Sequence, residues 1–496
     1  MAHVLGIDSG TTGVAALVVD DRGDVVAKGY REFAQSFPRP GWVEHDPEDW
    51  WTALTSACVE ALSNAKVQAS SLAAIGITNQ RETTLLWDRE TLRPVHPAIV
   101  WQDRRTAAFC DALREEGLEP HVRERTGLVI DPYFSGTKVH WLLEHVEGAR
   151  EAAGRGTLAF GTTDSYVLAR LTGGAVHATD HTNASRTMLY DIHRLDWDER
   201  LLDRLGVPRS VLPQVLPSCG RFGVTDPDAF FGAEIPIAGI AGDQQAALVG
   251  QACFEAGSGK NTYGTGSFVL MNTGTTAPVS PPGLITTIAA TTAEETPYAL
   301  EGSIFVTGSA VQWLRDGLGI IARSDDVEEL AGRVKDSGGV VFVPALTGLG
   351  APHWDPYARG TILGITRGTT AAHLARATLE AIAFQTRDVI EAMRDEGGLA
   401  ITELKADGGA SVDDLLMQLQ ADALGVPVRR PRILETTALG AAYLAGLGTG
   451  VWASREEVAA HWQLDREFRP AGEGRLDGQY ARWKAAVRRS LRWAED

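Results

Sequence analysis

Short apolar runs broken by clusters of Gly, Thr and Asp set the pattern of the first third of the chain. Residues 3–8, 14–20 and 25–33 are apolar-rich, and the turns Gly10-Thr11-Thr12-Gly13 and Asp21-Arg22-Gly23-Asp24 join them, which predicts an antiparallel meander. Asp46-Pro47-Glu48-Asp49 supplies a cap, a first-turn proline and acidic residues, so a helix is expected from there to Ala65. Residues 72–78 return as a buried strand that runs into Asn79-Gln80-Arg81-Glu82-Thr83-Thr84. Farther along, residues 235–242 read as another apolar strand, ending at Asp243 and passing into the helix-forming segment 244–248.

The architecture starts again near residue 250. Asn261-Thr262-Tyr263-Gly264-Thr265-Gly266-Ser267 resembles Asp8-Ser9-Gly10-Thr11-Thr12-Gly13 in type: a strand, a Gly/Thr turn and a second strand. The match is too weak for a solenoid repeat and is what a duplicated domain leaves after long divergence. A hairpin region to residue 304 follows, then a helix over 309–318, strands near 340–344 and 361–365, and a long helix over 370–394. Strand 403–406, the turn Asp407-Gly408-Gly409-Ala410, helix 412–424, strand 426–429 and helix 437–445 complete the pattern. This is a mixed α/β order, unlike the strict alternation of a doubly wound nucleotide fold. With 496 residues and no Ser/Pro-rich linker, two lobes are expected, 1–250 and 251–496, packed together and hinged about a cleft.

Composition narrows the class. Apolar residues make up 44% and charged residues 22%, which excludes a large disordered fraction. A net charge of −18 and a pI near 5.2 repel nucleic acid and anionic membranes, and the basic cluster Arg429-Arg430-Pro431-Arg432 is short, so neither is an expected partner. No apolar run approaches the roughly 18 residues that cross a bilayer, and Asp8 interrupts the first apolar run where a signal peptide needs continuity. A cytoplasmic location is the expectation. Cys58, Cys110, Cys219 and Cys253 lie far apart with no Cys-x-x-Cys, and the twelve histidines show no metal-ligand spacing, which predicts reduced thiols and no structural zinc.

Arg81 beside Glu82 offers donors next to an acceptor, a combination that suits the neighbouring hydroxyls of a polyol; the same residues equally describe a surface ion pair. The two Gly/Thr turns offer close backbone N–H groups and hydroxyls to phosphates, or are simply turns between strands. Asp407-Gly408-Gly409-Ala410 precedes a helix whose N-terminus favours an anion, or it is a connection with Asp as cap. Asp243 is either a general base or the cap of its helix. No Gly-x-x-x-x-Gly-Lys-Ser/Thr loop and no protein-kinase Gly-rich loop is present, which excludes those two routes to phosphoryl transfer.

Segments 40–47, 76–84, 98–102, 126–138, 182–188, 239–247, 260–266 and 347–352 carry a specific resemblance. They resemble the glycerol kinases, within the sugar and polyol kinase family whose fold is shared with actin, hexokinase and the Hsp70 ATPase domain. The resemblance implies an α/β protein of two ribonuclease H-like (actin-type ATPase) domains with mixed sheets and the active site in the interdomain cleft. It places glycerol among Arg81, Glu82, Trp101, Tyr133, Asp243, Gln244 and Phe268. It implies in-line transfer of the γ-phosphoryl of ATP to a terminal hydroxyl, giving sn-glycerol 3-phosphate, with Asp243 accepting the proton and Asp8 holding Mg2+ through water. Thr11, Thr12, Gly13 and Thr265 would orient the phosphates, and Gly308, Gln312 and Gly409 would run along the rest of the nucleotide. A homodimer or homotetramer is implied as well. Two other readings stay open: a kinase for another small polyol or ketose, and a non-enzymatic actin-like or chaperone-like ATP-binding module.

Three departures stand out. The family's Asp-Gln-Gly-Thr-Thr opening has Ser9 as its second residue, and the arginine common three residues beyond the second threonine is Ala15, which removes one cationic contact to phosphate. Asp413 stands where an asparagine near the nucleotide is frequent. Some relatives bind fructose 1,6-bisphosphate through a basic loop before the Asp243 strand, but residues 225–234 hold Asp226, Asp228 and Glu234 with no Lys or Arg. No histidine lies between His193 and His353, so the histidine phosphorylation that activates other relatives is not expected.

Overall fold

The computed structural model describes residues 2–280, 282–395, 398, 400–472 and 474–494. In the first half, β1 (His3–Ser9), β2 (Gly13–Asp20), β3 (Val25–Glu32), β4 (Leu72–Asn79), β5 (Cys219–Val224) and β6 (Pro236–Gly242) form a sheet in the order β5-β6-β4-β1-β2-β3. In the second half, β7 (Gly259–Tyr263), β8 (Ser267–Gly274), β9 (Ile285–Ile288), β10 (Tyr298–Ile304), β11 (Leu404–Asp407), β12 (Val428–Pro431) and β13 (Leu464–Phe468) form the order β9-β10-β8-β7-β11-β12-β13. Set aside the outer strands β5, β9 and β13, and both sheets share one plan. An antiparallel trio (β3-β2-β1 or β10-β8-β7) is extended by two parallel strands (β4-β6 or β11-β12). The chain therefore builds the ribonuclease H-like topology twice, as the weak internal likeness suggested.

Local sequence explains the elements. Strand β2, Gly-Val-Ala-Ala-Leu-Val-Val-Asp, is buried at every position, as a strand covered on both faces must be. Helix α1 (Pro47–Ala65) starts where Asp46 accepts a hydrogen bond from Glu48 N at 2.9 Å with Pro47 in the first turn, and it buries Trp50, Leu54, Ala57 and Ala61 in the core beside β2. Helices α2 (Asp243–Gly250), α3 (Gly308–Asp316), α4 (Ala371–Asp395), α5 (Asp414–Leu424) and α6 (Thr436–Thr449) follow. The expected helix over 412–424 begins only at Asp414, because Gly409–Val412 is a single 3-10 turn and Asp413 is the cap. The strands expected near 340 and 361 shorten to Val341–Val343 and Thr361–Leu363, which pair with each other apart from the main sheets.

Helix α6 belongs to the second half by sequence and packs on the first sheet. A Cβ on Gly76 of β4 would come within 1.9 Å of Ala441 O, and one on Gly440 within 1.8 Å of Ala246 O, so backbone meets backbone at both points. A four-stranded sheet inserted in the first half, ordered Glu44–His45, Ala98–Ile99, Thr84–Asp88 and Leu158–Thr162, packs with helix Ser135–His145 over a core containing Leu86, Phe134, Leu142 and Met188. No helix among the described residues is long and apolar enough to cross a membrane.

Candidate active site

Sheet register collects the site. Asp8 on β1 lies opposite Thr78 on β4, and Asn79 lies opposite Gly242 on β6. Three parallel strands therefore end together and deliver Asp8, Arg81-Glu82 and Asp243 to one edge, the place where α/β sheets usually bind ligands. Arg81 and Glu82 have φ of +53° and +38°, a left-handed conformation that costs a non-glycine residue on the order of 1 kcal/mol or more. This sharp turn out of β4 buries both side chains, which are 1% and 0% exposed. The surface-pair reading is thereby excluded.

Arg81 and Glu82 are not each other's main partners, being 3.8 Å apart. Arg81 Nη1 and Nη2 donate to the two oxygens of Glu301 on β10 at 2.6 and 3.2 Å, and Arg186 Nε donates to Glu82 Oε1 at 2.7 Å. Arg81 Nε lies 3.0 Å from Asp243 Oδ1. Asp243 is 24% exposed while Glu82 and Glu301 are sealed, so it is the carboxylate of this cluster with an open face. Burial pushes its pKa up, opposed by the cations Arg81 and Lys260. It does not cap its helix: Gly242 is the cap, and Asp243 is the first helical residue.

Aromatic rings close the space around these groups. Trp101 meets Tyr133 edge-to-face at 5.7 Å and Phe268 at 6.4 Å, and the Arg81 guanidinium lies 5.7 Å from the Phe268 ring centre. Gln244 follows Asp243, and its Oε1 accepts a hydrogen bond from Lys260 Nζ, which turns the amide N–H groups the other way. The acceptor residues expected from the sequence thus come together. Glu301, Arg186 and Lys260 join them without having been singled out; Arg186 and Lys260 lie inside matched segments, whereas Glu301 sits in a hairpin region with no motif.

The two Gly/Thr loops frame the same cleft. Trp101 Nε1 donates to Thr11 Oγ1 at 3.0 Å, linking the aromatic wall to the first loop. At the second loop, Gly308 N donates to Gly264 O and Thr307 N to Thr265 O, both at 3.0 Å, which fixes the start of α3 against the loop. Behind it lies a cavity of about 430 Å³ lined by Thr265, Gly308, Gln312, Gly409, Leu379 and Asp413. Gly13 is the first residue of β2, and a Cβ there would come 2.6 Å from the Tyr30 hydroxyl. Asp407 accepts from Gln251 and Thr436 side chains, so the turn after β11 is anchored by its aspartate without capping α5. Asp8 Oδ1 is buried without a hydrogen-bond partner among the described residues, and burial together with the Asp243 charge pushes the Asp8 carboxyl up to about 8. Among these residues no cluster of three or more His, Cys, Asp or Glu could hold a metal by itself.

Two ribonuclease H-like domains with paired Gly/Thr loops and strand-end carboxylates facing one cleft define a phosphoryl-transfer enzyme of the actin-type ATPase fold. The chain belongs to the FGGY family of carbohydrate kinases: the family's N-terminal domain matches residues 3–250 and its C-terminal domain residues 259–449. Within that family the chain is similar to glycerol kinases along its whole length. It is 58% identical to glycerol kinase 2 of Thermotoga maritima over 494 residues, 99% of each chain, and 58% identical to the glycerol kinase of Trichlorobacter lovleyi over 496 residues, all of each. It superposes on Plasmodium falciparum glycerol kinase with ADP at a TM-score of 0.90 and 35% identity, covering 99% of this chain and 98% of the other. A xylulose kinase from Rhodospirillum rubrum matches at a TM-score of 0.84 and 26% identity, covering 97% and 98%.

Proposed function

We propose that the protein transfers the γ-phosphoryl group of ATP to a terminal hydroxyl of glycerol, giving sn-glycerol 3-phosphate and ADP. One observation carries this reading. Arg81, Glu82 and Asp243 form a polar floor beneath the rings of Trp101, Tyr133 and Phe268, a pocket with donors, acceptors and apolar walls in the proportions a triol needs. Full-length identity to glycerol kinases supports it.

Asp243 accepts the proton of the attacking hydroxyl; its raised pKa strengthens it as a base, and the Arg81 cation forms an ion pair with it at 3.0 Å. Glu82 Oε2, buried without a partner among the described residues, accepts a hydrogen bond from a second hydroxyl. Gln244 directs its amide N–H groups to a hydroxyl oxygen because Lys260 occupies its carbonyl. Trp101, Tyr133 and Phe268 cover the carbon face and exclude water, which otherwise competes as the phosphoryl acceptor. Thr11, Thr12 and Gly13 line one side of the triphosphate and Thr265 the other, with Gly308, Gln312 and Gly409 along the nucleoside. The unpartnered Asp8 Oδ1 and the high Asp8 pKa fit a carboxylate whose counter-ion is a divalent cation. Asp8 would hold Mg2+ there, and the ion would supply charge neutralisation for the phosphoryl group. The domain boundary we adopt lies at 250/251, with the two main sheets on either side and α6 crossing back.

The test is an acceptor panel of glycerol, dihydroxyacetone, xylulose and gluconate with MgATP, following ADP release and assaying the product with sn-glycerol-3-phosphate dehydrogenase. Glycerol should lead every other acceptor in kcat/KM by about 10²-fold or more. Preference for a ketose would overturn the assignment.

A further inference from the structure

The floor of the acceptor pocket contains a carboxylate from the second lobe. Glu301 lies on β10 of the second sheet, is fully buried, and takes four hydrogen bonds. Arg81 supplies the bidentate pair at 2.6 and 3.2 Å, Arg186 Nη2 adds one at 2.9 Å, and Ser303 Oγ adds one at 3.1 Å. Arg186 in turn donates to Glu82 Oε1 at 2.7 Å. Two guanidinium and two carboxylate groups, none more than 1% exposed, thereby form a closed chain across the lobe boundary.

This chain decides which atoms remain for a substrate. A bidentate pair fixes the plane of a guanidinium. With both Nη atoms committed to Glu301, Arg81 keeps its Nε 3.0 Å from Asp243 as an ion pair, without a hydrogen bond among the described residues, and its Nη2 donates to the Tyr133 hydroxyl at 3.4 Å. With Oε1 committed to Arg186, Glu82 is left with Oε2 as its free acceptor. We propose that Glu301 is a positioning residue for the acceptor: from the second lobe it sets the orientation of Arg81 directly, and of Glu82 through Arg186. The inference rests on the glycerol reading. It makes the acceptor pocket a property of the docked lobes, since the first lobe alone lacks the group that aims its arginines.

The competing account is a scaffold, because buried ion pairs are often replaceable without loss. Glu301→Gln by itself leaves two buried guanidinium groups facing one full carboxylate and could cost the fold. The double variant Glu301→Gln/Arg186→Met removes one charge of each sign and keeps the interior balanced. Both are assayed as full-length protein, with urea unfolding to establish the fold, glycerol KM, ATP KM and kcat. The proposal expects the folded double variant to raise glycerol KM by tenfold or more while ATP KM stays within twofold. Unchanged glycerol KM in a folded double variant overturns it, and so does a parallel rise of both KM values, which would report a general disturbance. Wild-type enzyme in the same assay separates the two layers: turnover of glycerol without the KM split sinks this inference alone, whereas no turnover by wild type sinks the glycerol reading and this inference with it.

Discussion

Asp413→Asn should stabilise the protein, and by an amount that depends on pH. Asp413 caps α5 through one oxygen, which accepts from Leu416 N at 2.8 Å, while Oδ2 is buried at the cavity behind the second Gly/Thr loop with no partner among the described residues. Burial, with repulsion from Glu328 and Asp414, pushes the carboxyl from its ordinary 3.8 up to about 7. At about 1.36 kcal/mol per pKa unit, ionised Asp413 costs the folded state at most roughly 4 kcal/mol, and about 2–4 kcal/mol is a working range. The sign follows from linkage. A carboxyl whose folded pKa is raised binds its proton in the native state after the unfolded chain has released it, so stability falls as pH climbs from about 4 to about 7 and stays low above. Asparagine keeps the cap and never ionises. Urea unfolding of the nucleotide-free protein should show the variant more stable at pH 8, with the advantage shrinking by more than half at pH 5. An advantage equal at both pH values, or a variant less stable at pH 8, would refute the reasoning.

The remaining predictions concern the pocket and its control. Lys138 Nζ donates to the carbonyls of Pro132, Tyr133 and Phe134 at 2.9, 2.6 and 2.9 Å, so Lys138→Met strands three buried acceptors. We expect a loss of about 2–4 kcal/mol in urea unfolding and a raised glycerol KM as Tyr133 shifts. Trp101→Ala removes two ring contacts and the bond to Thr11. Glycerol KM should rise about tenfold, and glycerol-independent ATP hydrolysis should increase as water enters; unchanged hydrolysis would count against the water-exclusion role. Fructose 1,6-bisphosphate should leave activity unchanged at millimolar concentration, since residues 225–234 carry acids and no base. Inhibition in the micromolar range would show that another surface binds it.

How much of this was legible in the sequence follows from the range of the interactions. The meander, the capped α1 and the strands that end at Asn79 and Gly242 announced themselves through local pattern, because caps, turns and apolar runs are short-range signals. The family resemblance supplied Trp101, Tyr133 and Phe268, the last lying outside the matched segments; their meeting depends on three separate parts of the chain and has no periodicity to reveal it. Glu301 stayed hidden for a sharper reason. It lies 220 positions from Arg81 and inside a strand buried at every residue, where alternation gives no hint that one inward position is a charge balanced by two arginines. The adjacency of Arg81 and Glu82 suggested a pair, yet positive φ at both turns them toward different partners. Taken by itself, Asp243 read more readily as a helix cap than as a base, and only the backbone shows that Gly242 fills that place. The inserted four-stranded sheet, made partly of two-residue strands, is below the length at which pattern is readable.

The central claim is that one aspartate takes the proton from glycerol as the phosphoryl group moves. Steady-state kinetics of Asp243→Asn with glycerol and MgATP, alongside direct ADP titration, tests it most directly. The account predicts a fall in kcat of about 10²–10⁴-fold with ADP affinity unchanged, because the amide cannot accept the proton and the cavity proposed for the nucleotide does not include residue 243 in its lining. A variant that phosphorylates glycerol at more than a tenth of the wild-type rate would contradict it.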